Sequence, residues 1–281
     1  MPLQPSLIEE LFEHPPGNYT EEHFALFQAF KGALNSGEAR AAEPDARSAT
    51  GWRVNAWVKK GILLGFRMGK VVEMGAYPSR QPFFDKATFP LKAITRENGI
   101  RMVPGGSSIR DGSFVAKNVI CMPPMFINVG AYVDEGTMVD SHALIGSCAQ
   151  IGKHCHISAA AQIGGVLEPV GAMPVIIEDE VMVGGNAGVY EGTIVKRRAV
   201  LGTGTVLNRS TPVYDLVRET VWTAKDEEPL MIPEGAVVAP GSRGVTHPAG
   251  KKWGLSLYAA VIVKYRDEKT SARVQVEDLL R

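Results

Sequence analysis

Four side chains able to bind a transition metal, His142, Cys148, His154 and His156, lie close together in the chain. Neutral imidazole and thiolate are common zinc ligands, and three or four converging on one point would build a metal site. Asp134 and Asp140 punctuate the same stretch and could accept hydrogen bonds from backbone amides at turns. Which of these groups meet depends on the element that carries them. His142, Cys148 and His154 are spaced by six residues, and that interval recurs well beyond them.

Stepping by six from Ile109 meets Val115, Cys121, Ile127, Val133, Val139, Ile145, Ile151, Ile157 and Ile163, all apolar. The residue four places further on is mostly small, as at Ala131, Thr137, Ala143, Ala149, Cys155 and Ala161. After a two-residue shift the frame resumes at Ile177, Val183, Val189, Val195, Leu201, Leu207 and Val213, and a last pair, Ile232 and Val238, follows an insertion. Neither an amphipathic helix nor a hairpin has this period. A solenoid does. In a triangular parallel β-helix each hexapeptide supplies one short strand and one corner, and three make a coil of eighteen residues. The aliphatic residue points into the narrow interior and the small one fits where the wall turns. Seventeen repeats give nearly six coils. At the usual strand spacing the prism should be roughly 28 Å long.

This geometry decides the metal question. Side chains share a face only at spacings near eighteen, so His142, Cys148 and His154 fall on three different faces and no metal site is expected within one chain. Asp140 follows the inward Val139 and should therefore face outward on a prism wall.

Around the repeat, residues 1–100 should form a helical or mixed N-terminal domain. Thr20 with Glu21 and Glu22 looks like a helix start, Phe24, Phe27, Phe30 and Leu34 give an apolar face, and Asn35-Ser36-Gly37 is a stop. A second helix is expected over 54–66. The prism should occupy 101–241, with loop excursions at 169–174 and 214–231, and residues 242–281 should form a small C-terminal extension with a strand over 255–265 and a helical end over 276–281. Excursions are where solenoids place function.

Thirty Lys and Arg balance thirty Asp and Glu, so no field of one sign is available to grip nucleic acid or an anionic membrane. The longest apolar stretch, near 255–263, is far short of a membrane span. Cys121, Cys148 and Cys155 cannot pair fully, and the first ten residues hold two acids and no base. No secretory leader is expected, and the expected compartment is the reducing cytoplasm.

Hexapeptide prisms of this kind resemble the left-handed parallel β-helix acyltransferases, usually homotrimers with active sites between adjacent prisms. Three segments narrow the match: Val129-Gly130-Ala131-Tyr132-Val133-Asp134-Glu135-Gly136-Thr137-Met138-Val139-Asp140, then Gly146-Ser147-Cys148-Ala149-Gln150-Ile151-Gly152-Lys153, then Ile163-Gly164-Gly165-Val166-Leu167-Glu168-Pro169. With the tail Ser256-Leu257-Tyr258-Ala259-Ala260-Val261-Ile262-Val263-Lys264, these resemble the tetrahydrodipicolinate N-succinyltransferases of lysine and diaminopimelate synthesis, from about Trp57 to the C-terminus. The left hand of the helix comes from the resemblance alone.

The resemblance implies transfer of a succinyl group from succinyl-CoA to the amino group of ring-opened tetrahydrodipicolinate, with coenzyme A as co-substrate and no metal. Such a reaction needs a proton acceptor for the amine, donors for the developing oxyanion and cations for the substrate carboxylates. The positions matching the family's substrate-binding arginine and aspartate are Arg101 and Asp140. Asp140 would hold, and deprotonate, the amine. Arg101 would fork a carboxylate. Glu191 also matches a family glutamate, while a further glutamate expected of the family is replaced here by Gly188, with Tyr190 near. His142 stands where an aromatic residue is expected and rivals Asp140 as base, since other hexapeptide acyltransferases use histidine. Arg243, Lys251 and Lys252 follow the last coil, where the family closes over coenzyme A, and are the candidates for its phosphates. Acetyl-CoA, another amino dicarboxylate, a metal-dependent trimer and a purely structural solenoid are the competing readings.

Overall fold

The computed structural model describes residues 3–75, 82–225 and 228–267. Helix α1 (Pro5–Glu13) opens with proline, whose fixed φ and missing N–H suit a first helical turn. In α2 (Glu21–Ser36) the Thr20 N–H donates to Nδ1 of His23 at 3.0 Å, and the helix stops at Gly37, which adopts a left-handed φ of 77°. Helix α3 (Ala56–Met68) begins and ends two residues later than the sequence predicts. Two antiparallel hairpins, Ala42–Pro44 with Trp52–Val54 and Val71–Met74 with Phe83–Lys86, accompany the helices, so the N-terminal region is mixed rather than helical.

The repeat folds as a three-walled prism of parallel ladders. The first wall aligns Val115, Val133, Ile151, Ile177, Val195 and Ile232. The second aligns Met102, Cys121, Val139, Ile157, Val183, Leu201 and Val238. The third aligns Ile109, Ile127, Ile145, Ile163, Val189 and Leu207. These rows fill the interior, where nearly all of them are fully buried together with the small corner residues Ala149, Cys155 and Ala161. Burying each such aliphatic side chain contributes roughly 1.5–3 kcal/mol. The second wall begins one rung earlier than the six-residue frame suggests. Arg101–Met102 pairs with Ile120–Cys121, so Arg101 belongs to the prism itself.

Most corners turn the chain on a left-handed residue. Between the first and second walls these include Asn118, Gly136, His154, Glu180 and Arg198; between the second and third, His142, Ala160, Asn186 and Gly204. Residues with a Cβ are strained there by about 1 kcal/mol or more. The parallel stacking of successive corners offsets this.

The N-terminal domain packs on one corner and one wall. Phe27, Phe30, Ile62 and Phe89 share a core with Val129 and Cys148 of the corner between the third and first walls. On the first wall Trp52 Nε1 donates to Glu178 at 2.9 Å, Lys196 Nζ donates to the Thr50 carbonyl at 2.6 Å, and the Arg40 guanidinium lies 3.6 Å over the Tyr132 ring.

At the other end, strand Ala236–Gly244 runs on beyond the prism and pairs antiparallel with Ser256–Tyr265, so the expected boundary at 242 falls inside a strand. The excursion at 214–231 is partly sheet, because Val213–Asp215 pairs with both Thr220–Trp222 and Ser256–Tyr265. Tyr258 turns its hydroxyl onto the last rung of the third wall and accepts the Val206 N–H at 2.6 Å. That covers an otherwise open sheet edge. The helical end expected over 276–281 lies outside the described residues. No described helix is long and apolar enough to cross a membrane.

Candidate active site

Asp140 leaves the second wall immediately after Met138–Val139 and stands at the corner with the third wall, its side chain 28% exposed. Its Oδ1 accepts the Ser141 N–H at 2.7 Å, which fixes the carboxylate on the corner. Its Oδ2 lies 3.8 Å from Nε2 of His156, contributed by the next rung, His156–Ile157. The structure thus gives Asp140 an imidazole neighbour that sequence reasoning had considered only as a metal ligand. The signal was present in the register: Met138 and His156 are eighteen residues apart and pair directly. His142 sits two residues past Asp140 at the same corner, in the left-handed conformation, and its N–H donates to the Pro124 carbonyl at 2.6 Å. Its side chain is exposed.

Arg101 is exposed on the same wall as Asp140. Two rungs separate them, about 10 Å along the axis at ordinary strand spacing. A guanidinium and a carboxylate so placed can bracket a ligand carrying both amine and carboxylate.

Glu191 stands elsewhere. It follows Gly188–Val189 of the third wall, at the corner leading to the first wall, with its Oε2 accepting the Arg209 N–H at 3.0 Å. Within one chain, therefore, Asp140 and Glu191 occupy different edges of the prism. The structure does not bring them together. Glu191, Tyr190 and Arg209 line a cleft of about 740 Å³ whose opposite side is the loop through Glu168, Pro169 and Met173. That loop is held from behind by Lys59 of α3, a fully buried lysine whose Nζ donates to the Ala172 carbonyl at 2.6 Å. Burial pulls the Lys59 ammonium below the usual lysine range, and the nearby Cys148 only partly opposes this. The loop expected at 169–174 is thereby one wall of a cleft.

Arg243 lies on strand Ala236–Gly244, while Lys251 and Lys252 end the short helix α4 (Pro248–Lys252) at the turn of the same hairpin. All three are exposed, so one end of the hairpin carries three unburied cations suited to phosphate groups. Among the described residues no group of three or more His, Cys, Asp and Glu side chains is placed to hold a metal ion.

Comparison with known proteins bears on this arrangement. Residues 4–68 match a model described as the tetrahydrodipicolinate N-succinyltransferase N-terminal domain, and residues 174–209 match the hexapeptide repeat of succinyl-transferase. A 2,3,4,5-tetrahydropyridine-2,6-dicarboxylate N-succinyltransferase of Afipia carboxidovorans is 45% identical over 88% of this chain and 86% of its own. A protein of the same name from Polynucleobacter asymbioticus is 41% identical over 98% of each chain. Among solved structures, a putative 2,3,4,5-tetrahydropyridine-2-carboxylate N-succinyltransferase of Campylobacter jejuni superposes with a TM-score of 0.50 at 14% identity, covering 90% of this chain and 64% of that one. At that identity the superposition speaks for the fold only.

A hexapeptide prism with a succinyl-transferase repeat and polar side chains at its outer corners defines a transferase of the hexapeptide-repeat class. The chain belongs to the 2,3,4,5-tetrahydropyridine-2,6-dicarboxylate N-succinyltransferase family. The likeness includes the N-terminal domain from residue 4, earlier than the segments from Trp57 onward suggest.

Proposed function

We propose that this protein transfers a succinyl group from succinyl-CoA to the amino group of ring-opened tetrahydrodipicolinate, in lysine and diaminopimelate synthesis. The observation that carries this reading is the like-length similarity to N-succinyltransferases over 88% of the chain. The site's chemistry is consistent with it. The lone pair of the neutral amine bonds to the acyl carbon, and Asp140 takes the N–H proton as that bond forms. The C–S bond then breaks, and the same proton passes to the departing thiolate. The Ser141 N–H holds one oxygen of this carboxylate, and His156 Nε2 lies 3.8 Å from the other. Arg101 pairs with a substrate carboxylate. Coenzyme A supplies the activated thioester, and Arg243, Lys251 and Lys252 would hold its phosphates.

The active unit in this reading is a homotrimer of left-handed prisms. Support comes from the outward side chains of the second wall, where the partly exposed Met138, Met182 and Val200 accompany His156 in the ladder. An apolar row on the outside of a prism suits burial against a second copy. It also answers the separation of Asp140 from Glu191, since a neighbouring copy can present one corner to the other. A cytoplasmic setting fits the buried thiols of Cys121 and Cys148.

The test is thiol release from succinyl-CoA and from acetyl-CoA, with and without tetrahydrodipicolinate. Acceptor-dependent release that favours the succinyl donor is expected. Preference for the acetyl donor would change the reaction assigned here, and release independent of acceptor would remove it.

A further inference from the structure

Tyr190 carries a feature that the roles assigned above leave unused. Its backbone is fixed on the third wall: the N–H donates to the Leu207 carbonyl at 2.8 Å, and its carbonyl accepts the Thr193 N–H at 3.1 Å and the Thr193 hydroxyl at 2.8 Å. From this anchor the ring folds back over the wall. A Cβ at Gly188 would lie 2.5 Å from ring Cε2 and 2.8 Å from the hydroxyl oxygen, and one at Gly164 would lie 2.7 Å from ring Cδ1. Gly164 and Gly188 sit on adjacent rungs of the third wall and together form the bed on which the ring rests. Any side chain at either position would push it away. Among the described residues none hydrogen-bonds the Tyr190 hydroxyl, and the side chain lines the cleft of about 740 Å³ beside Glu191.

The phenol oxygen therefore stands where a side chain at position 188 would project. We infer that Tyr190 is an acceptor-binding residue, its hydroxyl donating a hydrogen bond to a carboxylate of the amino-dicarboxylate substrate. A hydroxyl can donate to an anion, which an ionised carboxylate at the same place cannot. The rigid bed of two glycines places that donor without the ordering cost of a flexible side chain. The inference deepens the succinyl-transfer reading and rests on it.

Steady-state kinetics of wild type, Tyr190→Phe and Gly188→Ala test it, with thermal melts to confirm folding. Removing only the oxygen in Tyr190→Phe should raise the acceptor KM about tenfold or more, the order expected for a hydrogen bond to a charged group, while the succinyl-CoA KM stays put. Gly188→Ala, which displaces the ring, should do the same. An active wild type with Tyr190→Phe equal to it in acceptor KM would overturn the inference alone, as would equal rises in both KM values. A wild type that releases no thiol would overturn the succinyl-transfer reading and this inference with it.

Discussion

Asp140 is set apart from the other corner residues by what surrounds it: one oxygen bonded to a backbone amide, the other facing an imidazole 3.8 Å away, and a quarter of the side chain open. If it takes the amine proton, Asp140→Asn should lower kcat by about 10² to 10⁴, the usual scale of general-base help, with unchanged oligomeric state. Single-turnover measurement checks this, and near-normal turnover would place the base elsewhere. Arg101→Ala should act differently, raising the acceptor KM with little change in kcat, because a carboxylate clamp contributes before the chemical step. The outward direction of Asp140 was legible in the sequence from the inward Val139 before it. The His156 contact was not, although eighteen-residue spacing gives the rung. The hexapeptide frame fixes which residues are neighbours, but not which side chains lean toward each other. Tyr190 shows the same limit from the other side: its ring reaches back two residues because Gly188 leaves room, a consequence of a missing side chain that no repeat pattern records.

At the scale of elements, each wall depends on its interior row. Ile157 is fully buried between Val139 and Val183, so Ile157→Ala should cost about 2–5 kcal/mol and show as a lower denaturant midpoint. The C-terminal sheet has a different anchor. Asp215 is almost fully buried, and burial by itself would raise its pKa. Hydrogen bonds from the Tyr265 hydroxyl at 2.7 Å, the Trp222 Nε1 at 3.2 Å and the N–H groups of Val217 and Arg218 at 3.0 Å more than reverse this, leaving the carboxyl below its ordinary range. The same contact, added to burial, pushes Tyr265 up to about 12. A depressed carboxyl stabilises the fold above its unfolded pKa of about 3.9 and loses that contribution as pH falls through the folded value. Melting temperature should hold from neutrality to about pH 5 and then drop, and Asp215→Asn should flatten that acid limb. An unchanged acid limb in the variant would assign the loss to other carboxyls. The prism strands were readable because one interior residue repeats every six places. The two N-terminal hairpins and the Asp215 sheet were not, since their strands are three or four residues long, or are paired across large sequence separations that no local period encodes.

The whole molecule is a prism with one wall covered by the N-terminal domain, one end closed by a hairpin, and two chemically equipped corners on separate edges. In the trimeric reading proposed above, a site that uses both corners draws them from two copies. Asp140→Asn and Glu191→Gln should each be inactive alone, yet coexpressed in equal amounts they should regain about a quarter of wild-type activity, since random assortment leaves that share of interfaces with both native residues. Absence of recovery would show that the corners act within one chain or that Glu191 is not needed. The central claim, acyl transfer to an amine, is tested most directly by the product itself. With isotopically labelled succinyl-CoA and tetrahydrodipicolinate, mass spectrometry should find the label on the acceptor nitrogen in step with free thiol; label recovered only as free succinate, or remaining on the thioester, would contradict the account.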